Sequence, residues 1–262
     1  MPPGLKVQMK PKWQMQLVAA LIFAGAMTVS SAAAISAEEQ GNQKQSSAQN
    51  GDAKAATTQL ESLLSQMDTA AASFKSAQAK LESDQYQKVV NEMDTQKGTV
   101  YFRRANKNLQ MALDITEPEK KYVLMQEGKI QFYQPNIEQV TVYSIGKSRS
   151  DVEGMMALGF GGRGHDLLKT FQVKLAGSEV VDGVSTSKLE LVPKGDKLRN
   201  MFSVITLWID AARGVSLKQE FTEPSGDYRI ARYSDIRLNQ KLSDDVFKLK
   251  TTSRTKIITP QS

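Results

Sequence analysis

The chain contains no cysteine and a single histidine, His165. Without thiols there are no disulfides and no thiolate ligands, so a zinc centre of the His/Cys type is excluded. No lipid can be attached at a lipobox-type cysteine either. A domain of roughly 200 residues buries enough core to do without disulfides. Long apolar runs are also missing: the N-terminal uncharged stretch, residues 17–29, has about 13 residues, against roughly 20 for a membrane-spanning helix. The 34 Lys and Arg are interspersed with 28 Asp and Glu, with no cluster of five or more. The formal charge of +6 therefore describes a mixed, solvated surface and not a nucleic-acid footprint. There is no G-x-x-x-x-G-K-[ST] phosphate loop and no G-x-S-x-G nucleophile elbow. The adjacent carboxylates Glu38-Glu39 and Asp244-Asp245 point apart on a strand or turn, so neither forms an acid/base pair. Nothing here calls for an enzyme, a metal or a cofactor.

What is present starts with an export signal. Lys6, Lys10 and Lys12 precede the apolar run, and SSAAAISA follows it. These are the three regions of a secretory signal peptide, with cleavage expected after Ala34 or, as second choice, Ala37. The predicted organisation is a signal peptide over 1–34, a disordered leader over 35–56 that is almost free of large apolar residues, and one domain over 57–262. Thr58-x-x-Glu61 reads as a capping box opening a helix. Leu60, Leu63, Leu64, Met67, Ala71 and Phe74 then fall on one face of that helix and require a partner surface.

Beyond this helix the period switches to two. In KNLQMALDIT, Leu109, Met111, Leu113 and Ile115 alternate with Asn108, Gln110, Ala112 and Asp114, the pattern of a half-buried strand. Turn signals recur at Glu117-Pro118, Glu127-Gly128, Pro135-Asn136, Asp182-Gly183, Gly195-Asp196 and Ser225-Gly226. Asp182-Gly183, between EVV and VSTSKLELV, is a hairpin signal. Strands joined by tight turns pair antiparallel. The predicted fold class is α+β, mainly β: about 10–11 strands in one curved sheet or partial barrel.

The segment GFGGRG, residues 159–164, matches the G-x-G-x-x-G dinucleotide fingerprint. That fingerprint needs a buried strand before it, and a helix and a parallel strand after it. Here DVEGMMAL precedes it and reads as helical or irregular. A short helix at 166–170 and then an antiparallel hairpin follow. Glu179 stands about 20 residues on, where a ribose-binding acid would be, but this is one match without its context. His165 reads as a loop or helix-start residue. Eleven methionines, including Met155 and Met156 in GMMALGF, fit either ordinary core packing or an adaptable binding surface. A curved sheet with few helices has more inner apolar surface than those helices fill, which leaves room for a ligand.

Four runs, GTVYFRRANKNLQMALDITEP, EGKIQFYQPNIEQVTVY, LELVPKGDKLRNMFSVITLWID and NQKLSDDVFKL, taken in order with the signal peptide, resemble the LolA family of periplasmic outer-membrane lipoprotein carriers. The likeness extends over residues 58–251. It implies an unclosed antiparallel half-barrel whose helices form a lid over a hydrophobic cavity for acyl chains. The family's Arg-Pro-Asn motif falls on Arg104, Ala105 and Asn106, with Ala105 in place of proline. By resemblance Arg104 inherits the role of lid latch. Alternation independently places Val100, Phe102 and Arg104 on one face. An arginine there needs partners for its donors, which lid carbonyls would provide, or else it snorkels from the strand end.

In the same frame the lid and hinge comprise Met155, Met156, Leu158, Gly159, Phe160, Gly161, Gly162 and Gly164. The cavity lining is assigned to Val100, Phe102, Met111, Leu113, Met125, Phe132, Met201 and Trp208. The expected protein is a periplasmic, monomeric carrier. It receives lipoprotein acyl chains from an inner-membrane release complex and passes them to an outer-membrane acceptor. Two alternatives stand beside it: a carrier of another lipid or glycolipid, and an envelope sensor of the RseB type, which would carry a second, C-terminal domain.

Overall fold

The computed structural model describes residues 46–105, 108–145 and 149–260. The expected signal peptide and the leader up to residue 45 lie outside the described residues. Helix α1 spans Ser46–Ser73. It starts well before Thr58, so Thr58 is an interior residue and not an N-cap, and the helix takes in residues 46–56 of the expected leader. The alanine-rich composition of this segment favours continued helix. The stripe read from the sequence is the buried one: Leu63, Leu64, Met67, Ala71 and Phe74 are each less than a tenth exposed.

Among the described residues twelve strands follow, one or two more than the sequence count. They are β1 (Ser76–Gln87), β2 (Glu92–Ala105), β3 (Asn108–Glu117), β4 (Lys121–Gln126), β5 (Lys129–Gln134), β6 (Gln139–Ser144), β7 (Phe171–Val181), β8 (Val184–Pro193), β9 (Val204–Asp210), β10 (Val215–Thr222), β11 (Tyr228–Leu238) and β12 (Lys256–Ile258). Between β6 and β7 lie α2 (Arg149–Met156) and α3 (Gly164–Thr170), and between β8 and β9 the single turn α4 (Asp196–Arg199). All strands form one sheet in the order β12-β6-β5-β4-β3-β2-β1-β11-β10-β9-β8-β7. The end strands β12 and β7 are not paired with each other, so the half-barrel is unclosed. Pairing is antiparallel except at β12, which adds parallel to β6. That three-residue strand is too short to show alternation, and the turn before it, closed by the Thr255 amide on the Thr252 carbonyl at 3.1 Å, contains no glycine, proline or asparagine to announce it.

The six turn signals fall on the β3–β4, β4–β5, β5–β6, β7–β8, β8–β9 and β10–β11 connections. At the β7–β8 turn both Asp182 and Gly183 have positive φ, 49° and 77°. Such a turn matches strand twist and closes a two-residue hairpin.

Cross-strand register separates the two faces of the sheet. Val100 opposes Leu113, and Phe102 opposes Met111. Met111 and Leu113 in turn oppose Met125 and Val123, which oppose Ile130 and Phe132. Across the other half, Leu81 opposes Tyr233, Ala231 opposes Gln219, Gln219 opposes Leu207 and Leu207 opposes Leu189. These residues share one face, termed the inner face, because α1 and the α2–α3 connection cover it. The outer face is covered over β2–β4 by residues 242–250, where Phe247 packs on Ala112 and Leu124. This explains why Ala112, on the solvent-side parity of the β3 pattern, is only 5% exposed.

Candidate functional site

Residues 157–163, which join α2 to α3, fold down onto the inner face. Phe160 is 1% exposed. Its ring stacks on Phe102 of β2, with centroids 4.6 Å apart and planes at 11°. The same ring meets Tyr233 of β11 edge-on at 4.9 Å. Burying such a side chain contributes about 1.5–3 kcal/mol, and favourable ring pairs add about 0.5–1.5 kcal/mol each. Leu158 and Met156 are buried beside it. The loop is thus an apolar plug on the wall where the sequence placed a cavity.

Polar bonds fasten this plug on both sides. Arg104 donates from Nη2 to the carbonyl of Gly161 at 2.8 Å, although its side chain is exposed at the strand end. The two sequence readings of Arg104 are therefore compatible: it stands at the rim and still reaches the loop. On the other side, Gln219 donates from Nε2 to the carbonyl of Leu158 at 2.6 Å and accepts from the Tyr233 hydroxyl at 3.0 Å. Burial pushes the Tyr233 phenol up to about 12, so it stays a neutral donor. The Ser216 amide donates to the Gly159 carbonyl at 2.9 Å, and Phe160 forms an isolated bridge with Val215.

The glycines make this seating possible. Gly161 has φ +76°, and a Cβ on it would run into the ring of Phe74, the residue that follows α1. A Cβ on Gly164 would lie 2.5 Å from the Leu64 carbonyl oxygen, so α3 approaches α1 backbone to backbone. The sequence reading assigned this segment freedom to swing. The structure shows that these two glycines permit close packing.

A charged cluster ties α3 and its loop to α1. His165 Nδ1 lies 2.8 Å from Asp68 Oδ2, and its Nε2 lies 2.9 Å from Glu61 Oε1. The His165 amide donates to Asp68 Oδ1 at 3.2 Å, and Arg163 pairs with Asp68 at 3.3 Å. Hydrogen bonding to Glu61, then to Asp68, raises the His165 pKa above its ordinary value. Burial alone would raise Asp68, but the bonds from His165 and Arg163 outweigh it and hold that carboxyl below its ordinary range. His165 is thus a bridge between two helices, more than the loop or helix-start residue read from the sequence.

Of the expected lining, Val100, Phe102, Met111, Leu113, Met125 and Phe132 share the inner face. Two assignments are corrected. Trp208 opposes Lys218 and Lys188, on the outer parity. Its ring carries the Lys218 ammonium at 4.0 Å and the Lys188 ammonium at 5.2 Å, and its indole N–H donates to Glu179 at 2.6 Å. That bond, with the nearby lysines, lowers the Glu179 pKa. Glu179 thus serves as a partner for an indole, in a hairpin with no parallel βαβ unit around it. Met201 is not on a strand: it is half-buried in the turn before β9. Gln219 and Tyr233 were missed. The available signal was Gln219 itself, a polar residue between Leu217 and Phe221 at the apolar parity of its strand.

Two openings lie elsewhere. A cavity of about 240 Å³ sits on the outer face between β2–β4 and residues 243–250. An open groove of about 650 Å³ runs between α1 and the β9–β10 turn. Phe160 lines neither.

A sequence model described as outer membrane lipoprotein carrier protein LolA matches residues 65–250. No curated protein matches by sequence. Among solved structures, an uncharacterised conserved protein from Thermus thermophilus is similar with a TM-score of 0.50 at 11% identity, over 76% of this chain and 98% of its own. The lipoprotein LppX of Mycobacterium tuberculosis gives 0.46 at 15% identity, over 71% of this chain and 98% of its own. The MucA/MucB complex of Pseudomonas aeruginosa gives 0.46 at 12% identity, over 73% of this chain and 61% of the matched one. At such identities the likeness is one of fold. The family model covers well over half of the chain and falls on the same half-barrel, its inner wall and its seated loop, and on that ground the chain belongs to the LolA family of lipoprotein carriers.

Proposed function

We propose that the protein is a periplasmic carrier that binds the acyl chains of a lipoprotein on the inner face of its half-barrel and passes them towards the outer membrane. The observation that carries this reading is the seating of Phe160: an apolar side chain fills the inner wall but belongs to a connection, not to the sheet. A connection can withdraw without unpairing any two of the twelve strands, at the cost of the isolated bridge from Phe160 to Val215. Met155, Met156, Leu158 and the glycines at 159, 161, 162 and 164 then act as the lid, with Arg104 as its latch at the rim.

The physical task is solvation. Each CH₂ of an acyl chain gains about 0.8 kcal/mol on leaving water, so a free chain does not cross an aqueous compartment unaided. A carrier must also let go. Because a ligand has to displace the loop from Phe102 and Tyr233, its net affinity falls by the cost of opening. Loading from an inner-membrane release complex and delivery to a tighter outer-membrane acceptor then run downhill. The protein acts as a monomer and catalyses no reaction in this scheme.

The test is a two-step assay with wild-type protein: loading from inner-membrane vesicles that contain lipoprotein, then hand-over to outer-membrane vesicles. Stoichiometric loading followed by transfer is the expected result. Loading with a non-protein lipid from the same vesicles, and none with lipoprotein, would replace the cargo and keep the carrier.

A further inference from the structure

Gln219 is out of place in an apolar wall. It is 4% exposed, and its strand neighbours on the inner face are Leu207 and Ala231. A leucine would fill that position without an amide to satisfy. Burying an amide is unfavourable unless both of its ends are bonded. Here they are: the oxygen by the Tyr233 hydroxyl, which belongs to the wall, and the nitrogen by the Leu158 carbonyl, which belongs to the loop. Only the second bond is lost when the loop leaves. The Tyr233 hydroxyl has the additional effect of fixing the amide's orientation, since it occupies the oxygen and leaves the N–H directed at whatever replaces Leu158. Across the same loop, Arg104 holds the carbonyl of Gly161. Closed, the wall therefore recognises an apolar ring flanked by two carbonyls.

We infer that Gln219, oriented by Tyr233, is a specificity residue that reads a carbonyl of the cargo, so that the open wall prefers acyl esters and amides over hydrocarbon or ether chains of equal length. The inference rests on the carrier reading and deepens it. The seated loop stands in for the ligand: Phe160 takes the place of the chain, and the Leu158 carbonyl that of the ester or amide group joining chain to headgroup. A ligand that presents a carbonyl restores the bond that the loop gave up. One that lacks it leaves a buried N–H unsatisfied, and sites built around a hydrogen bond reject such analogues far more strongly than sites built on size alone.

The experiment compares monopalmitoylglycerol with hexadecyl glyceryl ether, a pair that differs at the carbonyl, by displacement of a saturably bound hydrophobic dye. Wild type is expected to prefer the ester by about tenfold, the effect of one hydrogen bond. Gln219→Leu should abolish the preference while still binding both compounds. Tyr233→Phe, which leaves the amide unoriented, should reduce it. A second readout does not depend on affinity: the infrared band of an isotope-labelled ester carbonyl should lie at lower frequency when bound to wild type than when bound to Gln219→Leu. Equal affinity of wild type for ester and ether, or the same band position in both bound proteins, overturns the inference and makes Gln219 a tie for the closed loop alone. Failure of both compounds to bind saturably overturns the carrier reading, and this inference with it.

Discussion

Among the described residues Arg104 makes one side-chain bond to the loop, from an exposed position, so its hold on the closed form is modest, on the order of 1 kcal/mol once solvent competition is allowed for. Arg104→Leu should therefore fold normally and load as well as wild type or better. Hand-over to outer-membrane vesicles should slow by about fivefold, because a leucine favours the loaded form. Wild-type rates in both steps would reduce Arg104 to a surface residue. Trp208 teaches a different lesson at the same scale. Alternation within ITLWID puts Trp208 on the parity opposite Ile205, Leu207 and Ile209, and those three, at 0% exposure, form the inner wall. Of the two tryptophans in the sequence it is the one within the described residues. Its emission should stay unchanged when an acyl ligand binds, because its ring faces lysines and Glu179 on the outer face. A Phe160→Trp probe in a Trp208→Phe background should respond saturably instead. A large change from Trp208 itself would mean that ligand enters from the outer face.

Between elements, the pairing of α3 with α1 should depend on pH. The folded pKa of His165 is raised above 6.5, so its contribution is complete below that ordinary value and is lost as pH rises through the raised one. Asp68 is lowered, so its contribution is present above the ordinary carboxylate value of 3.8 and disappears only as pH falls through the depressed one. Glu61, Asp68 and Arg163 are the charged groups bonded to or beside His165 in the cluster, and Asp166 and Lys169 pair with each other. The melting temperature should therefore decline as pH is raised from about 6 to 9, and His165→Gln should flatten that decline. An equal slope in the variant would place the titrating group elsewhere. The sequence announced the α1 stripe and α3 separately. It did not announce their meeting, because the close approach at Gly164 and Leu64 and the Asp68–His165 bond join residues about a hundred positions apart.

For the whole molecule, the G-x-G-x-x-G match and the sheet make opposite demands. Residues 159–164 run from the α2–α3 connection into the first residue of α3 and an antiparallel hairpin follows that helix, and their loop is already engaged with Arg104, Gln219 and Ser216. NAD, NADP or ATP at millimolar concentration should leave the melting temperature unchanged, whereas a ligand at a hundred times its dissociation constant would add about 2.7 kcal/mol. A clear nucleotide-dependent shift would reopen that reading. By itself, the sequence determined the antiparallel sheet, six of its connections, the buried stripe of α1 and the family, because these rest on local periodicity, turn chemistry and the order of short runs. Alternation also sorted residues into two sets on β2 and β3, as Val100, Phe102 and Met111 show. Only tertiary structure decided which set faces inward in every strand, since register passes from strand to strand across the sheet and bulges reset it, as between Ser216 and Lys218 beside Trp208. The same holds for the inner wall's occupant: a phenylalanine in a glycine-rich connection reads as loop until Phe102 and Tyr233, distant in sequence, are brought to either side of it, and Gln219 reads as a stray polar residue until the Leu158 carbonyl arrives.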